Sequence, residues 1–160
     1  MIFEIGNYRL DVDVNRTRTY YDAASSISCD CPGCRNFLAA IHLIPKDVHH
    51  FFHQLGVSIE KAPDMTAYHS ADGMRTYYNG WYHICGTILE GRDPWIKTGE
   101  TSYQLDPTCK VPLTDGLSVF FSSHVNLLDP AFPQPAFTVE FEGNIPWVLD
   151  EPNSYHYTSE

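Results

Sequence analysis

Leu10, Val12 and Val14 alternate with Arg9, Asp11 and Asp13. That period of two predicts a strand with one buried and one wetted face. The preceding run, Ile2 to Ile5, is apolar-rich, and Gly6-Asn7 between the runs is a two-residue turn signal. The opening of the chain therefore reads as a β-hairpin. Asn15 to Ser28 has no clear period and reads as irregular, with a short extended piece at Thr19-Tyr20-Tyr21.

The period then lengthens. Phe37, Leu38, Ile41 and Ile44 fall near one stripe, which predicts a helix from Cys34 to Leu43 bounded by Pro45. A second helix is predicted from Lys46 to Leu55. There Val48, Phe51, Phe52 and Leu55 follow the i, i+3, i+4, i+7 pattern, and Gly56 stands where a C-terminal cap belongs.

Strand signals fill the rest. Thr66 to His69 and Met74 to Tyr78 flank the turn-like Ser70-Ala71-Asp72-Gly73. Asn79-Gly80 predicts a second hairpin, joining Arg75–Tyr78 to a strand that starts at Trp81 and continues toward Leu89. Further strands are expected at Thr101 to Leu105, Leu117 to Val125 and Ala136 to Glu142. Pro152 to Glu160 is polar and is expected to fray. No repeat or linker interrupts this order. The expectation is a single α+β domain over residues 1–150, a largely antiparallel β-sheet with two adjacent helices packed on one side, followed by a polar tail over 151–160.

Composition narrows the functional classes. The 160 residues are 43% hydrophobic and 14% aromatic, as suits one sheet-rich core. The formal net charge of -10 disfavours a nucleic-acid or anionic-membrane surface and is compatible with a basic protein partner. Met1 to Gly6 carries no signal-peptide pattern, and no stretch reaches a membrane-spanning length, so a cytoplasmic location is expected. Five cysteines, an odd number, in such a compartment argue against a disulfide scaffold.

Cys29-Asp30-Cys31-Pro32-Gly33-Cys34 is the local pattern that points to specific chemistry. Cys31 and Cys34 can hold one metal from a tight turn, with Cys29 as a third sulfur. A structural zinc would need a fourth ligand, for which Cys85, Cys109 and the histidines are candidates. The same residues admit thiol redox chemistry, with Cys34 at a helix N-terminus and Cys31 or Cys34 as nucleophile. They also admit three ordinary reduced cysteines.

Other features are weaker. Arg35 and Asn36 can bind an anion at the helix start, although polar residues on a solvated first turn are the simpler reading. His49 and His53 share a helix face without the H-E-x-x-H pattern. Glu140 and Glu142 share one strand face and offer acid–base chemistry that surface carboxylates seldom perform. Tyr77, Tyr78, Trp81 and Tyr82 bracket the Asn79-Gly80 turn; exposed, they would stack on a sugar or a protein, and otherwise they belong to the sheet.

Cys29-x-Cys31-x-x-Cys34-Arg35-Asn36, Phe51-Phe52-x-x-Leu55-Gly56, Gly86-Thr87-Ile88-Leu89-Glu90-Gly91 and Pro146-Trp147-Val148-Leu149 occur together here. In this the chain resembles a family of small bacterial proteins, without an established activity, that carries this layout over most of its length. The resemblance implies a cytosolic bacterial protein of one domain and supplies no catalytic residue. The expected function is a non-enzymatic protein-binding domain, immunity-like in masking a basic protein, with zinc at the cysteine knuckle. The alternatives are a thiol-redox enzyme and a carbohydrate-binding module.

Overall fold

The computed structural model describes residues 1–70 and 73–156. In chain order the strands are β1 (Ile2–Ile5), β2 (Tyr8–Val12), β3 (Asp64–Tyr68), β4 (Arg75–Glu90), β5 (Trp95–Lys97), β6 (Tyr103–Leu105), β7 (Val111–Thr114), β8 (Leu117–Ser122) and β9 (Ala136–Pro146). The α-helices are α1 (Val14–Ala23), α2 (Pro32–Ala40) and α3 (Lys46–Gln54). Seven strands form one sheet in the order β1-β2-β4-β9-β8-β7, with β3 also on β4; β5 and β6 form a separate ribbon. Every strand pair is antiparallel. The fold is α+β, as the periodicities predict, with a third helix added.

β4 organises the molecule. β9 pairs with it from Arg75 to Cys85. On its other edge β3 pairs with Tyr77–Trp81 and β2 with Gly86–Glu90, end to end. The hairpin predicted at Asn79-Gly80 is therefore replaced by continuous strand. These two residues sit in ladders on both sides, so neighbouring strands outweigh the local turn preference. Gly80 serves close packing instead: a Cβ there would lie 2.5 Å from Met65 Cε. The hairpin does form one step earlier, between β3 and β4, with Ala71 and Asp72 of its turn outside the described residues.

Even-numbered residues of β4 face the interior. Tyr78, Tyr82 and Ile84 are fully buried with Val139, Phe141 and Phe121 from the adjoining strands. Phe37 of α2 meets Tyr78 at 5.6 Å between ring centroids, and Phe52 of α3 meets Tyr82 at 5.0 Å. Odd-numbered Tyr77, Asn79 and Trp81 are half-buried.

α1 occupies a segment that reads as irregular in sequence. Its two buried residues are Thr17 and Tyr21, one helical turn apart and both polar, so no apolar stripe marks them. Asp13 caps the helix by accepting the Arg16 N–H. Thr17 Oγ1 donates to Asp13 O and accepts the Cys85 N–H. The Tyr21 hydroxyl donates to His83 O and accepts the His83 N–H. Two side chains thus satisfy sheet backbone groups that would otherwise be buried unpaired.

The end of the described chain is docked. Asn153 Nδ2 donates to Gly73 O, Arg75 O and Thr76 Oγ1, and the Ser70 N–H donates to Tyr155 O. Residues 153–156 thus pack against the start of β4, where the sequence suggests fraying. No helix among the described residues is long and apolar enough to cross a membrane.

Candidate metal centre

The loop before α2 brings three sulfurs together. The Sγ atoms of Cys29, Cys31 and Cys34 all lie within 4.8 Å of one another. Cys31 is the N-cap of α2, and Pro32 opens the helix with a φ already suited to it. The cap is a thiol: the Cys34 N–H donates to Cys31 Sγ at 3.4 Å. Cys34 falls in the first turn of the helix, so capping geometry sets the two sulfurs side by side.

Gly33 lets this turn sit deep. A Cβ at Gly33 would come within 2.8 Å of Ala67 Cβ and 2.9 Å of the Tyr155 hydroxyl. The Tyr78 hydroxyl donates to Gly33 O at 2.7 Å, tying the turn to β4. Asn36 donates to the Tyr78 hydroxyl and to Pro146 O and accepts the Val148 N–H. Arg35 pairs with Glu151 and, at 3.7 Å, with Asp30. Asn36 is fully buried and Arg35 is engaged by carboxylates, so neither forms the anion site considered from sequence.

The thiols are unlike each other. Cys29 and Cys31 are exposed and Cys34 is buried. Burial opposes ionisation of Cys31, but hydrogen bonds from the Cys34 N–H, from Cys29 and Cys34, and from Tyr155 outweigh it and hold the thiol below its ordinary range. Burial pushes Cys34 far up, helped by hydrogen bonds and charge from Cys29 and Cys31. Sequence reasoning places the helix-favoured thiolate on Cys34; capping gives that role to Cys31. Tyr155 is the contributor missed from sequence. Its proton is held more tightly, chiefly by burial and then by the neighbouring Cys31.

All three cysteines line a cleft of about 1120 Å³ between the α1–α2 connection and the start of β3. Its walls include Tyr20, Lys61, Asp64 and Asp129. The proposed fourth ligands lie elsewhere. Cys85 sits on β4 at the base of α1, where its backbone N–H meets Thr17, and burial raises its thiol. Cys109 lies beside Tyr8 and Arg92. Among the described residues, the group of three or more possible ligands consists of Cys29, Cys31 and Cys34. His49 is not part of that group, and its Nε2 lies 2.9 Å from Ile41 O.

The hairpin aromatics are divided by the strand. Tyr78 and Tyr82 are 0% exposed on the helix side and cannot stack on a ligand. Tyr77 and Trp81 line a groove on the opposite face with Glu140 and Glu142.

A cluster of three cysteines at the N-terminus of a helix on an antiparallel α+β sheet is a site suited to a soft metal or to thiol exchange. The chain matches no protein-family profile, no curated protein and no solved structure.

Proposed function

We propose that this is a non-enzymatic metal-binding protein that holds one zinc ion on Cys29, Cys31 and Cys34 and presents the fourth coordination position to the cleft, where a protein partner completes it. The observation that carries this reading is the convergence of three sulfurs within 4.8 Å. Sulfurs around one zinc at ~2.3 Å from the metal sit roughly 3.8 Å apart, so small side-chain adjustments suffice. Zinc replaces the thiol protons and removes the electrostatic cost of three crowded sulfurs. The net charge of -10 supports a basic partner, drawn by the field and seated at the cleft.

A second reading has its own support. An exposed low-pKa thiol followed by a buried high-pKa thiol is the asymmetry that disulfide exchange uses. Cys31 thiolate would attack a substrate disulfide and release one thiolate. Cys34, once deprotonated, would then attack Cys31 Sγ and release the second, so that two electrons pass from the dithiol to the substrate.

Metal analysis of protein purified without chelator separates the two. Zinc at one equivalent, lost in Cys31→Ser with a fall in melting temperature, supports the metal centre. Metal-free protein whose melting is unchanged by added zinc, and which reduces a model disulfide, overturns it in favour of exchange. A salt-independent association rate with a captured partner would remove the basic-partner component alone.

A further inference from the structure

The sheet face opposite the helices carries a second cavity, of about 650 Å³, within the usual range for small-molecule sites. Its floor is the odd-numbered side of β4 with the matching residues of its neighbours: Trp81 pairs with Glu140, and Glu140 with Phe120. The β5–β6 ribbon forms a wall, contributing Trp95, Tyr103 and Leu105. Asp93 anchors the base of that ribbon. Its carboxylate accepts from the Trp95 N–H, the Ser122 hydroxyl and both the N–H and hydroxyl of Ser123. The ribbon is thereby fixed over the sheet, with Trp95 and Phe120 edge to face at 6.2 Å.

Aromatic rings and hydrogen-bonding groups are interleaved there. Trp95 Nε1 donates to Glu140 Oε1 at 2.9 Å. Tyr77 hydrogen-bonds Glu142, which also pairs with Lys110. Among the described residues, Trp81 Nε1 is a buried side-chain polar atom with no hydrogen-bond partner. Leaving such a donor unpaired is unfavourable, and an acceptor supplied from outside the chain would satisfy it.

We propose that this groove binds a neutral sugar, a pyranose ring laid against the Trp81 and Trp95 indoles with its hydroxyls meeting the polar floor. The apolar face of a pyranose suits a flat ring, and each hydroxyl both donates and accepts. A hydroxyl oxygen brought beside Trp81 supplies the missing acceptor, while Glu140 and the side-chain amides of Asn79 and Asn126 provide partners of both kinds. No Lys or Arg is among the described lining residues, and two carboxylates are, so a uronic or sialic acid is disfavoured. An organic ammonium would suit the rings and Glu140, but it offers no acceptor to Trp81. The site lies across the sheet from the thiols and is independent of the metal reading.

The experiment is titration calorimetry with glucose, galactose, mannose and N-acetylglucosamine, their 1,4-linked disaccharides, glucuronate and tetramethylammonium. Saturable binding of at least one neutral sugar is expected, with glucuronate about tenfold weaker or worse and tetramethylammonium inert. Tyr103→Ala removes an exposed wall ring without touching the core and should weaken binding about tenfold. Trp81→Phe keeps a ring but deletes the orphan N–H. It should weaken sugar binding severalfold while the melting temperature holds or rises. Cys31→Ser should bind as the parent does. No binding by any neutral sugar, binding of tetramethylammonium instead, or affinity untouched by both Tyr103→Ala and Trp81→Phe would overturn the proposal.

Discussion

Asn36 Oδ1 accepts the Val148 N–H at 2.7 Å, and the same side chain donates to Pro146 O at 3.0 Å. The residue that follows the cysteine knuckle and the Pro146-Trp147-Val148 segment, far apart in sequence, are thus one structural unit. Two motifs that stand out separately along the chain are the two halves of a single hydrogen-bonded joint. Asn36→Ala removes both halves and the donation to the Tyr78 hydroxyl, leaving buried groups unpaired. A loss on the order of 3 kcal/mol in urea unfolding is expected. A loss below about 0.5 kcal/mol would deny the joint its role.

Tyr21→Phe tests the hidden helix. The hydroxyl serves both the N–H and the C=O of His83. Its deletion should destabilise by about 1–3 kcal/mol with little change in helix content. A variant as stable as the parent would mean that α1 is held by packing alone.

Tyr155→Phe tests the thiol environment. The phenol is one of the hydrogen-bond donors that keep Cys31 low. Alkylation of metal-free protein, followed by peptide mass mapping across pH, should find Cys31 reacting at lower pH than a free thiol and Cys34 refractory. The Tyr155→Phe profile for Cys31 should move upward. Identical profiles in the two proteins would exclude the phenol from the site.

Glu140 gives a pH signature. Burial raises its carboxyl above the ordinary value, against the lowering effect of its bonds from Trp95 and Asn79. The folded state therefore holds the proton more tightly than the unfolded one. This contribution to stability is full below the unfolded pKa and is lost as pH rises through the folded pKa. Glu140→Gln can still accept from Trp95. It should be more stable than the parent at neutral pH, with the difference shrinking as pH falls through the raised folded pKa and gone by about pH 4. A gap that widens toward acid would reverse the assigned direction.

The sequence carried the fold class because β2 exposes one face and buries the other, β9 alternates apolar with polar residues, and α3 has a continuous apolar stripe. It failed where tertiary contacts replaced local signals. α1 is fixed by two polar residues that bond the sheet, so its burial leaves no hydrophobic trace. Asn79-Gly80 has the composition of a turn, but it lies between two strands that no local window can see. The cysteine cluster was legible as a candidate because its members are adjacent. The positions of Cys85 and Cys109, the approach of Tyr155 and the wall formed by Trp95 and Tyr103 are long-range facts. The four aromatics around Asn79 form one group along the sequence, whereas uninterrupted pleating sends Tyr78 and Tyr82 inward and Tyr77 and Trp81 outward.

That pleating also bears on how the protein can diversify. Outward positions of β4 can be exchanged, and the recognition properties of that surface retuned, while the interior keeps its shape. An inserted or deleted residue has the opposite effect, since it would trade the two sets of side chains and ruin both at once. Descendants of this chain are therefore free to drift in what the outer face recognises, but not in the length of the strand that carries it.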